Sequence, residues 1–199
     1  MMMSDNPQTK PRIGMSLADY LREANDKPFE MINGEMLYLM PTVTLHTRIL
    51  KAVLWAIEMF VRQHQLGEAF PEMTYVIPEK YDKNWVQGAR VPDVMFYTQS
   101  RLDEYFRLNT DWALTPMLLV PDLVIEILSP SDRFSEVDAK VNFDLSNGVK
   151  TVWLIDPTLH KAWIYTPDSS SPTVVGAEGI LTVESLLPNF QLELAQLWI

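Results

Sequence analysis

Two acidic residues stand inside apolar stretches of this chain. Asp93 follows Pro92 in Val-Pro-Asp-Val-Met-Phe-Tyr, and Glu126 sits within Leu-Val-Ile-Glu-Ile-Leu. A carboxylate in such surroundings loses solvation and takes up a proton unless something compensates its charge. Two of them on neighbouring strands, facing one way, make a hard, oxygen-rich site whose natural counter-charge is a divalent cation, Mg2+ or Mn2+. Lys140 follows on the next helical stretch. Carboxylates to hold a metal, with an ammonium to stabilise charge or act on a water, are the parts that phosphodiester hydrolysis needs. Each residue also has a plainer reading. An aspartate after proline is commonly a turn or strand-end residue, and a helical lysine is commonly solvated. Glu126 is the hardest of the three to explain as structure alone.

The elements that must position these residues follow from the pattern. Ser16 is placed to cap a short helix through Leu17, Tyr20 and Leu21. Asn33-Gly34 between two apolar runs predicts a hairpin, because both turn positions need positive φ. A helix is expected over 44–65, ended by Gly67, with His46, Leu50, Val53, Ile57 and Phe60 on its inward stripe. Strands are expected over 70–77 and 89–97, then a short helix around 102–106 within a long connection. The most apolar segment, 118–128, reads as a central strand buried on both sides. A helix over 135–146 stops at Asn147-Gly148, with Asp144 the exception among its apolar positions. Strands over 151–155 and 162–165 precede an apolar tail, extended or partly helical, over 186–198. The result is a loose polar arm over 1–14 and a single α/β domain over 15–199, with a mixed sheet and a hairpin at its start.

Composition narrows the classes. Of 199 residues, 26 are acidic and 16 basic, a net charge of −10, so a grip on nucleic acid by overall charge is disfavoured and any contact falls to a local patch such as Arg101, Arg107 and Arg133. The chain has no cysteine, which excludes disulfides, thiol nucleophiles and cysteine-ligated zinc. His46, His64 and His160 share no metal-ligand spacing. Neither a signal peptide nor a membrane-spanning apolar run is visible, and a cytoplasmic protein is the expectation. The six tryptophans do not recur at stacking intervals, and Glu58 with Arg62 reads as a surface pair.

Taken together, Phe-Glu-Met-Ile-Asn-Gly-Glu, Met-Pro-Thr with His46 shortly after, Arg-Val-Pro-Asp, Pro-Asp-Leu-Val-Ile-Glu-Ile-Leu-Ser-Pro-Ser, Lys140 ahead of Gly-Val-Lys-Thr-Val-Trp-Leu-Ile-Asp-Pro, and Leu-Leu-Pro-Asn-Phe-Gln-Leu-Glu-Leu resemble a known family. It is the bacterial putative restriction endonuclease family, formerly a domain of unknown function, with the PD-(D/E)XK nuclease fold. The resemblance runs from Ser16 to Trp198. It implies a restriction-endonuclease-like α/β (α+β) fold, a mixed central sheet flanked by helices with an N-terminal hairpin. It implies that Asp93 and Glu126 are metal ligands for Mg2+ (or Mn2+). The motif lysine's usual position is occupied by Leu128, and Lys140 matches the position on the following helix to which such families move it. Glu35 and His46 match the pattern as further candidate catalytic residues. From the residues alone, Glu35 reads equally as an edge-strand acid and His46 as a hydrogen-bonded helix residue. Ser129 reads as a turn former, Asp122 as a strand-start residue and Arg133 as a solvated arginine.

The expectation is a metal-dependent endonuclease that hydrolyses DNA phosphodiester bonds, with Lys140 orienting or activating water, in a homodimer suited to cutting both strands. The alternative is a non-catalytic interaction or regulatory module that retains the nuclease fold. A hydrolase of a small phosphorylated substrate would instead need a narrow closed pocket.

Overall fold

The computed structural model describes residues 12–198. A two-residue strand, β1 (Met15–Ser16), leads into helix α1 (Leu17–Asp26), which Ser16 caps by accepting the Asp19 N–H at 3.1 Å. Strands β2 (Phe29–Ile32) and β3 (Glu35–Tyr38) form the hairpin, and Asn33 and Gly34 take φ of 52° and 86° at its turn. Helix α2 (Thr44–His64) buries His46, Ile49, Leu50, Val53, Ile57 and Val61. Its bounds are those expected, but Gly67 is not the residue that stops it. Gln65 ends it in the left-handed region at φ 54°. Gly67 instead opens the next strand at φ 148°, where a Cβ would meet the Tyr97 carbonyl oxygen at 1.9 Å.

Two expected strands prove to be four. The stretch over 70–77 divides into β4 (Gly67–Pro71) and β5 (Tyr75–Glu79), with Glu72 at φ 43° in the bend. The stretch over 89–97 divides into β6 (Asp82–Arg90) and β7 (Val94–Thr98). Pro92 lies in the break and, lacking an N–H, cannot continue a ladder. In both places the chain crosses from one sheet to another, because β5 pairs with β6 whereas β4 pairs with β7. Asp93 therefore sits at the seam between two sheets rather than inside a strand.

Helix α3 (Gln99–Leu108) is longer than expected and precedes a 3-10 turn at Trp112–Leu114. Then come β8 (Leu123–Ile127), α4 (Phe134–Ser146), β9 (Thr151–Asp156), β10 (Lys161–Tyr165), β11 (Thr173–Val175), β12 (Ile180–Val183) and β13 (Leu187–Glu193). One sheet runs β11-β10-β9-β8-β7-β4, and only its β8–β9 pair is parallel, joined by the α4 crossover. The second sheet, antiparallel, runs β1-β6-β2-β3 with β5 on β6. The hairpin thus belongs to this second sheet. Helix α2 and the β12–β13 ribbon pack on the Ile125, Ile127, Trp153 and Ile155 face of the mixed sheet, while α4 packs Val141 on Val124, Val152 and Leu154. The mixed sheet flanked by helices, with an N-terminal hairpin, is the architecture expected. Of the arm expected over 1–14, residues 1–11 lie outside the described residues. Beyond them Arg12 ion-pairs with Glu79 and Asp82, and Trp85 Nε1 donates to the Ile13 carbonyl at 2.8 Å.

Candidate active site

Pairing of Val94 with Ile125 sets Asp93, one residue earlier, beside the end of β8 where Glu126 stands. The Asp93 carboxylate is held from two sides. Its Oδ2 accepts the Ile127 N–H at 2.6 Å, and its Oδ1 lies 2.9 Å from His46 Nε2 at the start of α2. Glu126 points to the opposite face of β8 from Ile125 and Ile127, as strand alternation requires. Its side chain is 13% exposed, and Oε1 accepts from Arg90 Nη2 at 2.5 Å.

Arg90, the last residue of β6, is wholly buried and organises the rest. Its Nε and Nη2 fork onto the two oxygens of Asp144, each at 3.0 Å, and Nη1 donates to Glu30. Glu30, from β2, is also wholly buried; Oε1 accepts the Val91 N–H at 2.9 Å, and Oε2 is 2.6 Å from the Lys140 ammonium. Tyr75 donates to Asp144 at 2.6 Å. Buried charges persist only with such partners.

Glu30, Asp93, Glu126 and Asp144 carry four formal negative charges against two on Arg90 and Lys140. A deficit of two remains, or one if His46 is protonated. The strain falls on Glu126. Burial pushes its carboxyl up to about 7; Arg90 and Lys140 oppose the rise, and the Asp93 and Glu30 charges add to it. Glu30 goes the other way: burial favours its neutral form, but Arg90 and Lys140 outweigh burial and hold it below the usual range. Burial lowers Lys140, yet the charges of Glu126 and Glu30 carry it above the ordinary lysine value. The hydrogen bond to Asp93 raises His46.

The donor chemistry fits a small hard cation. Mg2+ is usually held by one or two carboxylates and keeps several waters. Among the described residues no three His, Asp or Glu side chains are arranged to hold a metal. A cation here would take Asp93 and Glu126 as its protein ligands and fill its remaining positions with water or phosphate oxygens.

Of the residues singled out from sequence, Asp93, Glu126 and His46 come together. Lys140 also points inward, but its ion pair is with Glu30. Glu35 is exposed beside the hairpin turn, outside the cluster. Glu30, Arg90, Asp144 and Tyr75 were not anticipated. A signal existed for three: an acid in the apolar Phe-Glu-Met-Ile strand, the arginine ahead of Val-Pro-Asp, and the one acid on the apolar side of α4. Asp122 is more than a strand-start residue. It is wholly buried, accepts the Thr98 N–H at 2.9 Å, and is ion-paired with Arg101 at 2.9 Å and Lys150 at 2.8 Å. Burial pushes it toward the neutral form, but Lys150, the Thr98 N–H and Arg101 outweigh burial and lower it. Arg101 is thereby committed to Asp122. Arg107 and Arg133 remain well exposed. Ser129 shapes its turn as expected, donating its N–H to Asp132 at 2.7 Å.

Comparison with known proteins adds the family. A family model, Uma2, described as "Putative restriction endonuclease", matches residues 17–195. Among solved structures the chain is similar to "a putative nuclease belonging to DUF820" from Anabaena variabilis, with a TM-score of 0.74 and 22% identity over 92% of this chain and 97% of that one. At that identity the likeness is one of fold. No curated protein matches.

Proposed function

We propose that this chain, which belongs to the Uma2 family of putative restriction endonucleases, is a metal-dependent endonuclease that hydrolyses DNA phosphodiester bonds. The observation that carries the reading is the pair of inward carboxylates, Asp93 and Glu126, in a cluster whose formal charge is two short of neutral. Asp93 and Glu126 would hold Mg2+ or Mn2+, which supplies positive charge to offset the charge that builds on the scissile phosphate. The remaining work is done by the chain. His46 and the Ile127 N–H fix the Asp93 carboxylate in one orientation. Arg90 holds one oxygen of Glu126 and leaves the other unclaimed by it. Lys140 is an ammonium at neutral pH, so it orients water and stabilises developing negative charge rather than removing a proton.

Substrate contact outside the cluster falls to local positive charge such as Arg107 and Arg133, and a homodimer would present two sites to a duplex. No helix among the described residues is long and apolar enough to cross a membrane, and we place the protein in the cytoplasm. One observation favours the alternative, a non-catalytic module that retains the fold: both cations of the cluster, the buried Arg90 and the partly exposed Lys140, are already satisfied by the chain's own carboxylates.

The test is cleavage of plasmid and oligonucleotide DNA with Mg2+ or Mn2+ by the wild type, Asp93→Asn and Glu126→Gln. Metal-dependent cutting lost in both variants supports the enzyme. Cutting that survives in both, or no cutting together with no Mn2+ binding by calorimetry, refutes it.

A further inference from the structure

On the face of the mixed sheet that carries Glu126, a cavity of about 630 Å³ opens beyond the end of β8. Leu128, two residues past Glu126, lines it, as does Leu154, which pairs with Glu126 across β8 and β9. Val137, one turn of α4 before Lys140, lines it too. The cavity therefore borders the proposed site through its own strand, the neighbouring strand and the covering helix.

Its lining is aromatic and acidic. Trp163 and Tyr165 are half-buried, and Phe134, at the start of α4, is 86% exposed. Asp132, Asp138 and Asp156 also line it, and among the described residues no Lys, Arg or His does. Nor, among the described residues, has any of the three aspartates a cation within ion-pairing distance; even Lys161, opposite Asp156 across β9 and β10, forms no ion pair with it. One oxygen of each serves a local contact: Asp132 with the Ser129 N–H, Asp138 with the Asn142 amide, Asp156 with the Thr158 and Leu159 N–H groups. The other oxygen of each is left to accept.

We propose that this cavity takes an unpaired nucleobase of the substrate strand, next to the phosphodiester held at Asp93 and Glu126; the inference rests on the nuclease reading. Three uncompensated carboxylates repel a phosphate but not a neutral base. A base offers a π-face to Phe134, Trp163 and Tyr165, and amino groups that donate to carboxylate oxygens. The volume suits a base with its sugar, within the usual range of ligand pockets. A chain of net charge −10 gains more by holding bases than by gripping phosphates. The substrate class is thus nucleic acid with an unpaired or extruded base, rather than uninterrupted duplex.

The test uses the full chain in EDTA, so that nothing is cut, with a short single strand containing 2-aminopurine and its fully paired duplex. The expected result is altered probe fluorescence on binding the single strand, affinity about tenfold or more above that for the duplex, and a shallower salt dependence than phosphate-led binding shows. Phe134→Ser, at an exposed position, weakens binding about fivefold or more, as the loss of one stacking partner does. Asp138→Ala weakens it for probes bearing amino groups. Equal affinity for duplex, an unchanged fluorescence signal, or Phe134→Ser binding like the wild type overturns the proposal. The two readings fail separately. Base binding with neither metal-dependent cutting nor Mn2+ binding sinks the nuclease reading alone, whereas cutting of paired duplex that is indifferent to Phe134→Ser sinks the base site alone.

Discussion

Glu126→Gln should make the folded protein more stable at mildly alkaline pH. The Glu126 carboxyl is pushed from 4.5 up to about 7, chiefly by burial. A group whose pKa is raised by folding contributes its stability fully below the unfolded value, and loses it as pH rises through the folded value. The relevant window therefore runs from about 4.5 to about 7. Above it, the charged side chain costs about 3 kcal/mol, since raising a pKa by one costs the charged form about 1.4 kcal/mol. Glutamine keeps the shape and an acceptor for Arg90 Nη2 while carrying no charge, so most of that cost disappears. Urea denaturation of the two proteins in EDTA should give a variant about 2–3 kcal/mol more stable near pH 8, with the difference shrinking toward zero near pH 4.5. The Arg90 contact at 2.5 Å pulls against this outcome. If that contact dominated burial and the neighbouring Asp93 and Glu30 charges, the variant would be less stable near pH 8. That result, or a difference independent of pH, refutes the account of Glu126 as a residue held under electrostatic strain.

Other perturbations separate structure from chemistry. Arg90→Met strips partners from three carboxylates and should cost about 3–5 kcal/mol by denaturation, less in mild acid, where the orphaned acids take protons. Asp122→Asn should cost about 2–4 kcal/mol near neutral pH. Because folding lowers the Asp122 carboxyl, its contribution is present above the unfolded value of 3.8 and fades as pH falls below it, so the variant and wild type should converge in acid. Gly67→Ala should cost about 2 kcal/mol or more, since its Cβ collides with the Tyr97 carbonyl at a φ of 148°. In the cleavage assay Lys140→Gln should lower the rate about a hundredfold or more, whereas the exposed Glu35→Gln should leave it within about twofold; the reverse order would move the site to the hairpin turn.

Much of the fold was legible because its signals are local. Asn33-Gly34, the inward stripe of α2 and the apolar run around Glu126 each specify their element within a few residues. The sheet crossings at 72–74 and 91–93 were not legible. Apolar, strand-favouring residues follow both bends, in Tyr75–Ile77 and Val94–Tyr97, and the local marks are two prolines, Pro71 and Pro92, which an uninterrupted edge strand also accommodates. Missing them placed Asp93 inside a strand and hid the hairpin's partnership with β6. The site divided in the same way. Asp93, Glu126 and Lys140 stood out by chemical type and setting. Arg90 meets Glu30 across 60 positions and Asp144 across 54, and nothing in a single sequence pairs residues at that range.

The seam explains why such a costly cluster exists there. Within a continuous sheet, backbone groups saturate one another and leave no room for a guanidinium with three acidic partners. Where β6 ends and β7 begins, the ladder is interrupted, and the free Val91 and Ile127 N–H groups turn to Glu30 and Asp93 instead of to a neighbouring strand. Arg90 and Asp93 are separated only by Val91-Pro92, so one break in the sheet places the organising cation and the first carboxylate together. The same break limits what the cluster can tolerate. Arg90 fully buried, with Asp144 taking its fork, locks β6 to α4, and α4 carries Lys140. An Asp144→Asn substitution touches neither proposed metal ligand directly, although Asp144 shares Arg90 Nη2 with Glu126; it should therefore lower cleavage through Lys140 while leaving Mn2+ affinity nearly unchanged by calorimetry. Loss of Mn2+ binding in that variant would mean that Asp144 acts on the carboxylates themselves, and the division between a metal-holding half and a lysine-positioning half would be wrong.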